Sequence, residues 1–159
     1  MKSILKFVAI AVFAAFASTS LLAQSNPVVG TWQLNTAKSK YTPGPVPKSL
    51  TRTVEETADG MKYTMTGVNA DGSPISYGFT VKYDGKDYPA TGTMPGGADS
   101  IAIKKIDANH YEATLKKAGE EVGTSKLEIS KDGKVATLTS KGMTAGGKPS
   151  HSVSVYDKQ

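Results

Sequence analysis

Four Asp-Gly pairs cut this chain into short pieces, at Asp59-Gly60, Asp71-Gly72, Asp84-Gly85 and Asp132-Gly133. Asp-Gly favours the left-handed backbone of tight hairpin turns, so each pair predicts a reversal of direction. Asp107-Ala108-Asn109, Gly119 and Gly146-Gly147 add further breaks. Between the turns the apolar residues step by two. Met61, Tyr63 and Met65 share one face against Lys62, Thr64 and Thr66. Ile75, Tyr77, Phe79, Val81 and Tyr83 oppose Ser76, Gly78, Thr80 and Lys82. Such segments, with one apolar and one polar side, belong to antiparallel sheets buried on a single face. No helix-length pattern competes with them.

The same alternation continues through Ile101 and Ile103, then Tyr111, Ala113 and Leu115, then Leu127 and Ile129. Val122 has the opposite parity to Leu127, which predicts a bulge near Gly123. With strands over residues 28–34, 51–57, 135–140 and 149–156, the count is eight or nine, nearly all joined by hairpins. The expected fold is all-β, an antiparallel meander closed into a barrel, because closure removes exposed strand edges. A two-sheet sandwich is the alternative. Two long connections stand out. Residues 35–49 carry Pro43, Pro45 and Pro47 and read as an extended loop, with Asn35 placed to cap a single helical turn. Residues 88–100 hold Met94-Pro95-Gly96-Gly97 and read as a second loop. Connections of this length are either lids or solvated links.

Residues 1–23 read as a cleavable export signal: Lys2 and Lys6 lead an apolar run over residues 7–16, and small residues end at Ala23. The run is about half the ~20 residues a spanning helix needs, and no later stretch is long enough. Residues 24–159 then form one domain, and the expected location is periplasmic or secreted. Removing Lys2 and Lys6 takes the basic side chains from 19 to 17 against 14 acidic ones, a net charge of +3. The lysines are scattered, so no nucleic-acid tract is expected. The chain has no cysteine, which excludes disulfides, thiol chemistry and cysteine-based metal sites.

Gly30-Thr31-Trp32 lies in the first strand, with a long loop after it. This resembles the Gly-X-Trp opening of the lipocalin-like (calycin) β-barrels, and the whole chain resembles small secreted bacterial lipocalin-like proteins of unassigned role. The resemblance implies that Trp32 plugs the closed end of the barrel and that the following loop folds over the open end. The family's Thr-Asp-Tyr motif, its C-terminal helix and the arginine that covers the tryptophan are missing. The single arginine, Arg52, is placed to stack on Trp32 as a cation–π partner.

Few residues suggest catalysis. His110 has the parity of Glu112 and Lys116 and is expected to face water. His151 shares parity with Val153 and Val155, which predicts an inward side chain near one end of the last strand. The adjacent pairs Glu55-Glu56 and Glu120-Glu121 point to opposite faces and form no acid/base couple. The turn aspartates account for themselves as turns. No nucleophile motif, phosphate loop, metal set or cofactor motif is recognisable.

What remains is an inner face rich in tyrosine and methionine. A small barrel either fills with its own side chains or encloses one ligand. The leading expectation is a non-enzymatic exported barrel that binds a small hydrophobic or amphipathic molecule. Its candidate contacts are Tyr41, Tyr63, Met65, Tyr77, Phe79, Tyr111 and His151, with Trp32 and Arg52 as structural residues. The alternative is a structural or interaction protein of the cell envelope whose barrel is filled. Catalysis through His151 is a third reading.

Overall fold

The computed structural model describes residues 26–144 and 146–159. The expected export signal, residues 1–23, lies outside them. Eleven strands follow in order: β1 (Gly30–Leu34), β2 (Lys40–Thr42), β3 (Ser49–Thr57), β4 (Gly60–Val68), β5 (Pro74–Val81), β6 (Asp84–Gly92), β7 (Ser100–Lys105), β8 (His110–Lys117), β9 (Glu120–Ile129), β10 (Val135–Met143) and β11 (Pro149–Lys158). Each strand from β3 onward pairs antiparallel with the next, β1 pairs with β3, and β11 returns to β1. Ten strands, β1 and β3–β11, therefore close into a lipocalin-like barrel, against the eight or nine expected. Among the described residues no helix is long and apolar enough to cross a membrane.

β2 pairs with β11 alone. Its register continues that of β1: Leu34 lies opposite Tyr156, and Lys40 opposite Val153. The intervening residues 35–39 fold out as a turn whose ends are tied to β11, with the Asn35 N–H donating to the Val155 carbonyl and the Val155 N–H to Ser39 Oγ. Asn35 caps a single tight turn over residues 36–38 that is not extended into a helix: its side chain accepts the Lys38 N–H. Residues 35–49 are thus partly barrel wall rather than one extended loop.

The second departure is β6. Its sequence, DGKDYPATG, lacks apolar alternation and contains Pro89. It is nonetheless held by pairing with both neighbours, with a register shift against β7 between Asp84 and Asp87. The β5–β6 register centres the reversal on Asp84-Gly85, as expected, with Gly85 at a φ of 74° and the Asp84 side chain accepting the Lys86 N–H. The predicted bulge is present. Leu115 pairs with Gly123 and Lys116 with Glu121, leaving Val122 as the extra residue.

The packed core sits at one pole. Trp32, Val28, Val54, Val81, Ile129 and Tyr63 are the largest side chains fully shielded from solvent. Residues 26–29 cross this pole as a floor. The Trp32 Nε1–H donates to the Val28 carbonyl at 2.9 Å, and the Tyr111 hydroxyl donates to Asn26 Oδ1 at 3.1 Å. Lys158 Nζ lies 4.9 Å from the Trp32 ring centroid and also donates to the Pro27 carbonyl. The cation over the tryptophan is therefore Lys158 from the last strand, and Arg52 goes elsewhere. Toward the opposite pole the strands enclose open space.

Candidate functional site: a hollow, two-sided barrel

The open half of the barrel holds a cavity of about 490 Å³. The alternative in which the barrel is filled by its own side chains is thereby corrected. The inner residues of β3–β5 and β7 form an apolar wall: Leu50, Met65, Ile75, Phe79, Ile101 and Ile103. Cross-strand pairing sets it. Arg52 lies opposite Met65 and Met65 opposite Tyr77, while Tyr63 lies opposite Phe79. The Tyr63 and Phe79 rings stack at 4.8 Å, a favourable offset geometry for aromatic pairs.

Arg52 points inward, half-buried, with its guanidinium carbon 5.0 Å from the Tyr63 ring centroid. The expected stack on Trp32 is replaced by this one, although Arg52 and Trp32 are register partners on β3 and β1. Among the described residues the guanidinium has no carboxylate within ion-pair distance and no hydrogen-bond partner, yet none of its nitrogens is both wholly shielded and unpaired. Its donors therefore face the cavity. Hydroxyls surround it at longer range. Burial pushes Tyr77 up to about 12, an effect the nearby Arg52 charge opposes. Tyr156 and Tyr83 are pushed up by burial as well, Tyr83 with help from the Tyr63 hydroxyl that bonds to it. Tyr111 is raised to about 12, mainly by burial. These phenols stay neutral, so Arg52 is the formal charge set among them; Glu112 and Lys141 also border the pocket but are exposed.

The opposite wall has another character. On β11 the inner row is Ser150, Ser152, Ser154 and Tyr156, while Val153 and Val155 turn outward. His151 shares the valines' parity and is exposed at the rim, so its predicted inward orientation is corrected. The register extends this polar surface sideways: Ser125 on β9 faces Ser140 on β10, which faces Ser152 on β11, which faces Tyr41 on β2. The Tyr41 hydroxyl shares a 2.7 Å hydrogen bond with Ser154 Oγ, and burial raises its pKa. The serine wall escaped sequence reasoning. Its signal was present as serines at every second position of the last strand, but apolar residues were assigned the inside by default.

Two segments border the mouth. Pro43 and Pro47, from the connection after β2, line it, while Val46 packs beside the core instead. The β6–β7 connection, residues 93–99, reaches further. Met94 is buried and lines the cavity, and a side chain at Gly96 would meet the Met143 carbonyl at 3.2 Å and Val122 at 3.6 Å. This connection, bound also by the Ala118 N–H donating to Asp99 Oδ2, spans from β7 toward β9 and β10. The cover over the mouth is therefore built largely from the second long connection.

Tyr41, Tyr63, Met65, Tyr77, Phe79 and Tyr111 all line the cavity, and His151 borders it at the exposed rim. His110 pairs with Asp107 at 2.8 Å on the outside of the closed pole, an exposed turn contact remote from the pocket. Among the described residues no group of three or more His, Asp or Glu side chains is placed to hold a metal.

No family profile matches the sequence, and no curated protein matches it. Among solved structures the chain is similar to zebrafish ileal bile acid-binding protein, solved in complex with cholic acid, at a TM-score of 0.48 and 17% identity over 84% of this chain and 99% of that one.

Proposed function

We propose that this protein is an exported, non-enzymatic binding protein that carries a small amphipathic molecule with an acidic head group inside its barrel. The carrying observation is the 490 Å³ cavity into which the chain's only arginine projects unpaired. That volume falls among ligand pockets, which run from about 300 to 1,000 Å³. A partly desolvated guanidinium gains most from a carboxylate, which its fork can hold through two parallel hydrogen bonds. Arg52 sits where the cavity meets the packed floor. A head group there leaves the carbon skeleton against Met65, Ile75, Leu50 and Ile101 toward the mouth. The basic and apolar character of residues 1–16 supports delivery across a membrane, and thus a periplasmic or secreted location.

Dodecanoate and dodecanol provide a direct test by titration calorimetry. The acid should bind at least tenfold more tightly, the ratio expected from a charged hydrogen bond of roughly 1.5–3 kcal/mol. The preference should vanish in Arg52→Gln. Equal binding of acid and alcohol, or no binding of either at millimolar concentration, refutes the reading. Native mass spectrometry of protein taken directly from its source compartment would identify the natural cargo.

A further inference from the structure

We propose that the β9–β11 wall reads the polar face of its ligand, so that the preferred cargo is a rigid amphiphile with hydroxyl groups on one face and bare carbon on the other. This rests on the binding function proposed above and narrows its ligand class.

A sheet that encloses apolar matter normally turns its valines inward and its serines outward. β11 does the reverse over its first half: Ser150, Ser152 and Ser154 face the cavity while Val153 and Val155 face out. Among the described residues the hydroxyls of Ser125, Ser140, Ser150 and Ser152 have no protein partner, and none is both wholly shielded and unpaired. They open onto the cavity. Burying such groups against plain hydrocarbon would cost free energy, so a purely apolar occupant is disfavoured on this side.

Their arrangement specifies more than one polar group. Adjacent strands lie about 4.8 Å apart and alternate residues about 6.7 Å apart along a strand. Ser125, Ser140 and Ser152 thus span roughly 10 Å across three strands, and Ser150 to Ser154 roughly 13 Å along β11. A single head group would satisfy one point of this grid. A flat, fused-ring skeleton with several hydroxyls on one side would meet several points while its other side lies on Ile75, Phe79 and Ile103. A linear chain offers no polar face and would leave the hydroxyls to water.

The test uses two steroid carboxylic acids with one skeleton, the first bearing three hydroxyls on a single face and the second none, titrated below their micellar concentrations. Dodecanoate serves as the linear reference. The hydroxylated acid should bind the wild-type protein at least tenfold more tightly than its bare counterpart. Ser140→Ala and Ser152→Ala should each weaken it about three- to tenfold, the worth of one neutral hydrogen bond. Neither should weaken dodecanoate. Thr139→Ala, on the outer face of β10, should change nothing. If dodecanoate binds but the wild-type protein does not distinguish the two steroids, or the serine variants weaken all three probes alike, the hydroxyl wall has no reading role although the barrel still binds acids. If none of the three probes binds, both proposals fall. Circular dichroism of each variant establishes that the barrel is intact, and because the substitutions remove only one oxygen each, either serine variant alone decides the outcome.

Discussion

Replacing Trp32 with alanine removes three things at once. The side chain is almost completely buried at the closed pole, packed with Val28, Ile129 and Ala136. Truncating a core aromatic costs about 3–5 kcal/mol through lost burial and the cavity left behind. The Nε1–H bond to the Val28 carbonyl disappears as well, leaving an acceptor in a shielded position at a further cost of about 1 kcal/mol. The Lys158 ammonium loses the ring beneath it, worth about 0.5–1 kcal/mol. Allowing for overlap, the sum is about 4–6 kcal/mol, a large share of the 5–15 kcal/mol typical of a domain. For a folded unit of about 134 residues the unfolding entropy near 60 °C is roughly 0.28 kcal/mol/K. Trp32→Ala should therefore lower Tm by about 15–20 °C. Trp32→Phe keeps most of the apolar area and loses chiefly the hydrogen bond, so it should fall only about 4–7 °C. Differential scanning calorimetry of the three proteins separates these contributions. A Trp32→Ala protein melting within about 3 °C of wild type would mean that the floor closes without the tryptophan, and the packing argument for this pole would fail.

Two further outcomes follow from the pocket and its rim. Tyr77 and Tyr111 are held up to about 12 by burial, above the unfolded value near 10. Unfolded chains therefore release these protons first: stability is intact below about pH 10 and falls between about pH 10 and 12, by up to ~1.4 kcal/mol per pH unit for each tyrosine. Near-ultraviolet titration should show their tyrosinate signal rising together with loss of the sheet, and smooth ionisation of all seven tyrosines near pH 10 in an intact barrel would contradict it. Replacing residues 36–48 with a short Gly/Ser turn removes β2, the Tyr41–Ser154 bond and the Ser39 tie to Val155. The β1–β11 seam remains, so hydrogen exchange should accelerate at the β11 amides that face β2 and stay slow in β3 and β4; unchanged exchange in β11 would show that β2 contributes nothing to the wall.

The sequence carried the fold wherever a strand lies between core and solvent. β4 and β5 alternate because each inner residue meets packed neighbours, and the opposed parity of Val122 and Leu127 marked a real bulge. Legibility failed where that condition fails. β6 is held by backbone pairing to its neighbours and supplies little apolar side chain, so its composition resembled a loop. β2 is three residues long and recognisable only through its register with β11. The inner face of β11 was inverted because it borders open space. A rule that places valines inside misassigned the strand there and, with it, His151. Arg52 was correctly singled out as the sole arginine, but its partner depended on which ring lay diagonal to it across β3 and β4, a geometric fact absent from composition. All seven candidate ligand contacts border the cavity, His151 only at its exposed rim. Tyr63, Met65, Tyr77 and Phe79 do so because aromatic and methionine side chains at alternate positions face inward on β4 and β5 whether the interior is solid or hollow.

Ten alternating strands have a consequence for how the molecule can be attached to anything else. An even count brings the chain back to the pole from which it started. β1 leaves the floor built by residues 26–29, and β11 ends beside it, where Lys158 touches Pro27 and the Gln159 N–H donates to the Thr31 carbonyl. Both points of exit, Asn26 and Gln159, thus lie at the sealed pole, and the opening faces the other way. A tether, a reporter or a solid support joined at either point would orient the barrel like a cup on its base, with the rim unobstructed toward solvent or toward a surface that delivers cargo.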